Sequence, residues 1–287
     1  MLAVMVGLSF ITFTRNSANK IGALLEHVKD IVDEIIVIDG YSTDETVEIA
    51  KSYGAKVYLR KPRGYVEPDR MFALKKVANS WVLYLDDDER LCRRLKNDIR
   101  ELIEFGENHE ISAFSITRVN LNKNMRPILG PFYPDTQIRI YRKDKVIYRG
   151  LIHELPEVIG KKCQLPEEYF IIHLPMNQEY WYKKFAHYVY IHKKQCYSSG
   201  LTRSSKFRGA LWTLMPFSII PYYFFLLSAC LIRKKPINTP AIFHSFGRAL
   251  YEGTLSTLMK MRTKKEKELA RVISKYGLIQ LLKLDQD

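Results

Sequence analysis

EIIVIDGYSTDETVEIAKSYGAKVYLR, residues 34–60, decides the fold, because it reads as strand, helix and strand in one short stretch. EIIVIDG is an apolar, β-branched run that stops on Asp39 and Gly40, as a strand buried on both faces does. STDETVEIAKSYG follows, with Ser42, Thr43 or Asp44 able to cap a helix and Gly54 able to end it. AKVYLR then returns to strand-forming residues. A strand–helix–strand unit of this kind implies a parallel pair with the helix across one face.

Working outward, the same alternation continues. Upstream, Ala3–Phe13 is a further buried strand, and Ile21, Leu24, Leu25, Val28, Ile31 and Val32 recur at helical spacing. The apolar start MLAVMVGLSFITF has no preceding basic residue and no small-residue cleavage site, so it reads as that first strand and not as a signal peptide. Downstream, a helix through Arg70–Ala78 leads to the strand WVLYL, 81–85. The expected architecture is α/β, a mostly parallel sheet with helices on both faces. Ligands in such sheets bind beyond the carboxyl ends of the strands, and Asp39 and Asp86 both fall there. After Gly106, AFSITRVNLN, TQIRIYRKDKVIYRG and EYFIIHL read as strands of a mixed or antiparallel extension.

WVLYLDDDERL, 81–91, sets Asp86, Asp87, Asp88 and Glu89 directly behind an apolar strand. One explanation is a helix capped by its own acids, with Leu91, Leu95, Ile99 and Leu102 as the apolar stripe. That accounts for two acids, not four. A hard divalent cation accounts for the surplus, since Mg²⁺ takes one or two carboxylates together with substrate phosphates. Several other chemistries are disfavoured. No GxGxxG follows the first strand, no GxxxxGK[ST] occurs, and no nucleophile elbow is present. Four cysteines without CxxC spacing argue against zinc and for a reducing compartment. A carboxylate–metal site without a glycine-rich cradle suggests a sugar-diphosphate donor.

Taken together and in order, RNSANKI (15–21), residues 34–57, the Arg70 helix and WVLYLDDDERL resemble a family 2 glycosyltransferase of the GT-A, Rossmann-like fold. YPDTQIRIYRKDKVIYRGLIHELPE (133–157) is similar to the lipopolysaccharide-core glucosyltransferase branch of that family. The resemblance spans roughly residues 5–175. It implies that Asp39 meets the base or ribose, Asp86 the ribose, and that Thr12 and Asn16 line the nucleotide pocket. It implies Asp88, with Asp86, as ligands of Mg²⁺ or Mn²⁺, and His173 as a further metal or phosphate contact. Arg70 and Arg139 would face the diphosphate, and Glu154 would be the general base, with Asp135 as the alternative. The expected reaction is inverting, a single displacement of the nucleoside diphosphate by an acceptor hydroxyl. Three departures from the family pattern stand out: Ser17 where Glu is common, Asp87 where a small residue is common, and His153-Glu154 where many relatives have Glu-Asp.

The charge is divided unevenly. Residues 1–179 carry 26 Lys+Arg and 26 Asp+Glu, whereas residues 180–287 carry 19 and 5, which supplies the whole net +14. The expected division is a transferase domain, 1–178, and a basic, aromatic-rich helical region, 179–287. Within the latter, 209–232 has no charged residue and is interrupted by Pro216 and Pro221. A membrane-associating hairpin fits it, with a buried helix pair or an oligomer interface as the alternative. The basic region then suggests an anionic membrane surface, a lipid-linked or glycan acceptor, the cytoplasmic face of the membrane, and self-association through the C-terminal region. Two rivals are a nucleotidyltransferase and a basic nucleic-acid-binding protein. The first lacks a glycine in TFTRNSANK, and the second has no use for so long an uncharged run.

Overall fold

The computed structural model describes residues 6–129, 133–151 and 154–175, together with Ser228 and Ile232. By contact density the chain divides into two units, 1–125 with 134–175, and 126–133 with 176–287. Only the first is described over most of its length. His153 and the expected C-terminal helical region, including nearly all of 209–232, lie outside the described residues. Among the described residues no helix is long and apolar enough to cross a membrane.

The first half is the anticipated alternation. Strand β1 (Leu8–Thr14) is followed by α1 (Ala18–Val28), β2 (Glu34–Asp39), α2 (Thr46–Ser52), β3 (Lys56–Leu59), α3 (Glu67–Leu74) and β4 (Trp81–Tyr84). Gly54 closes α2 in the left-handed region at φ 74°, where a side chain would be strained. The third helix begins and ends earlier than the sequence suggested, with Pro68 in its first turn, where a missing N–H costs nothing.

The larger difference lies after β4. Residues Glu89–Leu91 form a short strand, β5, and helix α4 (Arg93–Asn108) starts only beyond it. Its N-cap is Cys92, whose Sγ accepts from the Leu95 N–H at 3.4 Å, and its first turn contains no acid. The acid-capped helix is therefore not what the four acids build, and Leu91 belongs to a strand, not to the helical stripe. Leu95, Ile99 and Ile103 are the buried residues of that stripe.

The chain continues through β6 (Ile111–Asn120), β7 (Asp135–Arg142), β8 (Val146–Ile147), β9 (Glu157–Val158), β10 (Lys161–Gln164) and β11 (Phe170–His173). Among the described residues the main sheet has nine strands in the order β3-β2-β1-β4-β7-β6-β11-β5, with β10 also paired to β6; β8 and β9 form a separate pair. Strands β1 to β4 are mutually parallel, β7 runs antiparallel to β4 and β6, and β10 and β11 run parallel to β6. Strand β5 is held antiparallel to β11, with His173 opposite Glu89.

Alternation along β1 divides the core in two. Leu8 and Phe10 pack with Leu24, Leu25, Leu95 and Ile99 on the face covered by α1, α2 and α4. Ile11 packs with Ala73, Leu74 and Val82 on the face covered by α3. Helices thus cover both faces, as expected. Trp81 and Phe114 stack at 5.7 Å, and Gly106 lets α4 lie directly on the Trp81 ring.

Candidate donor and metal site

Since β2, β1 and β4 are parallel neighbours, Asp39 and Asp86 emerge at one end of the sheet. The loops that follow β1 and β2 are latched to each other there. Asn16 Oδ1 accepts from the Thr43 N–H at 2.8 Å, and the Asn16 N–H donates to Ser42 Oγ at 2.8 Å. The Ser17 N–H donates to Thr46 Oγ1 at 2.7 Å. Asn16 and Tyr41 hold φ of 52° and 56°, a strained setting for non-glycine residues that these cross-links sustain. Asp39 is fully buried; it accepts from Thr14 Oγ1 at 3.0 Å and from the Ser42 N–H at 2.8 Å, and so organises the turn. Thr12 is also fully buried, on the α1 side of β1, and its hydroxyl has no hydrogen-bond partner among the described residues.

The four acids that follow β4 turn out to have four separate assignments. Asp86 accepts from Tyr84 Oη and, at 2.9 Å, from Arg139 Nη2. Asp87 accepts from Ser17 Oγ at 2.5 Å and faces Lys20 Nζ at 3.5 Å. Asp88 Oδ1 lies 3.5 Å from His173 Nε2. Glu89, fully buried, accepts from Arg118 Nη1 at 2.9 Å and Arg139 Nη2 at 2.7 Å, and its other oxygen takes the Asp86 N–H at 3.2 Å. Asp86, Asp87 and Glu89 each have a cationic neighbour, which offsets much of the repulsion among four adjacent carboxylates, and Asp88 faces an imidazole. Burial would raise the pKa of Asp86, but Arg139 and Arg70 outweigh it and draw the carboxyl well below its usual range.

These contacts, with the backbone from Asp86 to Asp88, close into a ring. From Asp86 it runs through Arg139, Glu89 and Arg118 to Asp135, which accepts from Arg118 Nε at 2.9 Å. Asn120 Nδ2 donates to Asp135 at 3.1 Å, Asn120 Oδ1 meets His173 Nδ1 at 2.7 Å, and His173 returns to Asp88. The ladders β7-β6-β11-β5 set this order, for Arg118 is opposite Asp135, and Asn120 opposite His173. Arg118 and Asn120 were not singled out from the sequence. The signal for them is an arginine and an asparagine in SITRVN, on a strand run, ISAFSITRVN, whose other residues are apolar or small hydroxyl side chains.

The remaining expected residues fall as follows. Arg139 is 5% exposed and its guanidinium, 4.4 Å above the Tyr84 ring, is committed to Asp86 and Glu89. Arg70 lies between the Tyr84 and Tyr148 rings, at 4.9 and 5.0 Å, with Nη2 3.5 Å from Tyr84 Oη. Its Nε is buried without a hydrogen-bond partner among the described residues. Both oxygens of Asp135 are taken, by Arg118, Asn120 and Gln137. Glu154 folds back on its own loop and accepts from the N–H groups of Arg149 and Gly150 at 2.9 and 2.7 Å. Gly150, at φ 78°, lies against Pro68 and seats that loop on the start of α3.

Among the described residues no group of three or more His, Cys, Asp and Glu side chains could hold a metal ion. Asp88 and His173 come together as a pair, while Asp86 is engaged by Arg139 and Tyr84. A carboxylate and an imidazole facing each other suit a divalent cation that takes its other ligands from a diphosphate and water.

A parallel α/β half carrying strand-end acids, extended by antiparallel strands that hold those acids in place, is consistent with the GT-A fold. Residues 9–152, half of the chain, match the domain Glycosyl transferase family 2, and the chain belongs to that family. An uncharacterized glycosyltransferase of Rickettsia felis is 36% identical over 138 residues, 47% of this chain and 48% of that one. The SPbeta prophage-derived glycosyltransferase SunS of Bacillus subtilis is 29% identical over 145 residues, 49% of this chain and 32% of that one. The chain thus spans about half or less of the length of these relatives. Of solved structures, S. aureus TarS 1-349 in complex with UDP aligns with a TM-score of 0.46 at 20% identity, covering 64% of each chain.

Proposed function

We propose that this protein is a divalent-cation-dependent, inverting glycosyltransferase that moves a sugar from a nucleoside-diphosphate donor to an acceptor hydroxyl. The observation that carries the reading is the Asp88–His173 pair, 3.5 Å apart beside the strand-end carboxylates of a family 2 fold. Asp88 and His173 would hold the cation, which when bound neutralises charge on the departing diphosphate. Asp86, ionised and oriented by Arg139 and Tyr84, presents a fixed acceptor for a ribose hydroxyl. Arg70 is a cation stacked between two tyrosines with few polar partners, suited to a phosphate. Asp39 and Asn16 stiffen the two loops between which the base would sit.

Glu154 is the better general base of the two carboxylates. Each of its oxygens takes one backbone N–H and keeps a lone pair for an acceptor hydroxyl. Asp135 is tied on both oxygens, and although burial would raise its pKa, Arg118, Asn120 and Gln137 hold it below the usual carboxylate range. Arg139 acts by fixing Asp86 and not by touching the donor. The acceptor we propose is a membrane-linked glycan or lipid, as in the lipopolysaccharide-core branch, reached from the cytoplasmic face. What supports this is the concentration of the whole net +14 in residues 180–287 beside the uncharged run 209–232.

Calorimetric titration of the full chain with UDP and GDP, with and without Mn²⁺, tests the donor site. Nucleotide binding that needs Mn²⁺ and is lost in Asp88→Asn is the expected result. Binding indifferent to both the metal and the substitution would overturn the cation's role, and no binding of either nucleotide would overturn the transferase reading.

A further inference from the structure

Asn120 closes β6 beside His173, which closes β11, and its amide is held at both ends. Nδ2 donates to Asp135 Oδ2 at 3.1 Å, and Oδ1 faces His173 Nδ1 at 2.7 Å. The orientation is set by Asp135, whose Oδ2 also takes Arg118 Nε at 2.9 Å and whose Oδ1 takes Gln137 Nε2 at 2.7 Å. A carboxylate ringed by donors is ionised and can only accept, so it takes the NH₂ end of the Asn120 amide. The carbonyl end is thereby turned to the imidazole. A carbonyl oxygen needs a donor, which puts the ring proton on Nδ1. Nε2 then points its lone pair at Asp88 Oδ1 across 3.5 Å, beyond the 2.7–3.2 Å of an N–H···O bond. Two acceptors confronting each other across such a gap need something positive between them.

We propose that Asn120, held by Asp135, is a positioning residue that fixes His173 as its Nδ1–H tautomer and reserves Nε2 for a divalent cation shared with Asp88. This rests on the cation reading given under Proposed function. The order is carboxylate, amide, imidazole, cation. It is an uncharged variant of the outer-partner arrangement by which metal-binding histidines are oriented. An amide in the middle fixes the tautomer without setting one more full charge against a site that already holds Asp86, Asp87 and Asp88. It also explains why Asp135 is tied on both oxygens at the head of β7.

The test is ¹⁵N NMR of the full chain labelled at histidine, at about pH 8, where a free imidazole is neutral. His173 is assigned from the signal lost in His173→Gln. Wild type is expected to show His173 as Nδ1–H. Asn120→Leu should convert it largely to Nε2–H and weaken Mn²⁺ binding in the presence of UDP about 10–100-fold, read by Mn²⁺ electron paramagnetic resonance. Asn120→Asp keeps an acceptor at Nδ1 and should keep the tautomer. An Nε2–H or doubly protonated His173 in wild type overturns the inference, as does an Asn120→Leu protein with unchanged tautomer and Mn²⁺ affinity. If Asp88→Asn abolishes Mn²⁺ uptake while Asn120→Leu does not, the inference alone fails. If wild type takes up no Mn²⁺ with nucleotide, the cation reading fails and the reservation of Nε2 fails with it.

Discussion

Glu89→Gln should be among the most damaging conservative substitutions in this protein. Glu89 is fully buried and accepts from Arg118 at 2.9 Å, Arg139 at 2.7 Å and the Asp86 N–H at 3.2 Å. Gln is nearly the same size, so no cavity forms, but one oxygen becomes an NH₂ group. Whichever way the amide turns, that NH₂ meets a donor, either the Asp86 N–H or the guanidinium pair. The charge balance is broken as well, for Arg139 keeps only Asp86 and Arg118 only Asp135. Removing one partner of a buried ionic group costs about 3–5 kcal/mol, because the remaining charge is left in a low-dielectric setting. With a urea dependence of about 2 kcal/mol/M, the midpoint should fall by roughly 2 M. Urea is preferred to guanidinium chloride, whose salt would screen the charges under test. Adding Arg139→Gln to Glu89→Gln should recover part of the loss, giving a coupling of about 1–3 kcal/mol. A Glu89→Gln protein within about 0.5 kcal/mol of wild type, the size of an ordinary surface change, would refute the ring as a structural element.

Three further outcomes follow from single contacts. Gly106→Ala would place a Cβ 2.6 and 2.7 Å from Trp81 Cη2 and Cζ2, so stability should fall by about 1–3 kcal/mol despite the better helix former, measured by urea denaturation. Burial, with Lys96 and Arg90 nearby, brings the His27 pKa from 6.5 down to about 4, and its neutral Nε2 accepts the Leu91 N–H at 3.1 Å. The unfolded chain binds that proton first as pH falls, so this contribution is complete above about 6.5 and lost between there and about 4. Full linkage would be about 3 kcal/mol, and partial exposure reduces it to about 1–2 kcal/mol. Wild type should therefore lose that much more than His27→Gln between pH 7 and about 4, and equal losses would refute it. For the Ser17–Asp87 contact, a cycle of Ser17→Ala and Asp87→Ala should give a coupling of about 1 kcal/mol in stability, whereas strictly additive effects would show that the 2.5 Å hydrogen bond does not join the loops.

The parallel half of the fold was legible because its signals are local. An apolar β-branched run, a cap and a glycine within residues 34–57 specify one unit, and β1, α1 and β4 repeat the pattern. The order of the other strands was not legible. Strand β5 has three residues and is a strand only because β11, some eighty positions later, pairs with it. Nothing in DERLCRRL favours that over a helix continuing backwards through Glu89, and tertiary pairing overrides the local preference. The same pairing brings His173 to Asp88, so the residue that completes the candidate metal pair lies on the strand that relocates the helix start.

The four acids show how a linear motif is divided by a fold. In sequence they are one block and invite one explanation, but Asp86–Glu89 is a turn closed by the Glu89 N–H on the Asp86 carbonyl at 3.0 Å, and a turn sends successive side chains in different directions. Asp87 turns to α1, Glu89 goes inward to the two arginines, and Asp86 and Asp88 remain for the strand-end face. Two residues that had stood out separately as departures from the family pattern, Ser17 and Asp87, are the two ends of one hydrogen bond. A short hydroxyl on the helix side is matched by a carboxylate on the loop side, so the acidic group that spans this junction is carried here by the loop. That makes Asp87 a brace between α1 and the acidic loop and leaves Asp88, two positions past Asp86, as the carboxylate directed to His173. The surplus of two acids for which a cation was the expected explanation comes down, in the function proposed above, to one carboxylate, Asp88, paired with His173.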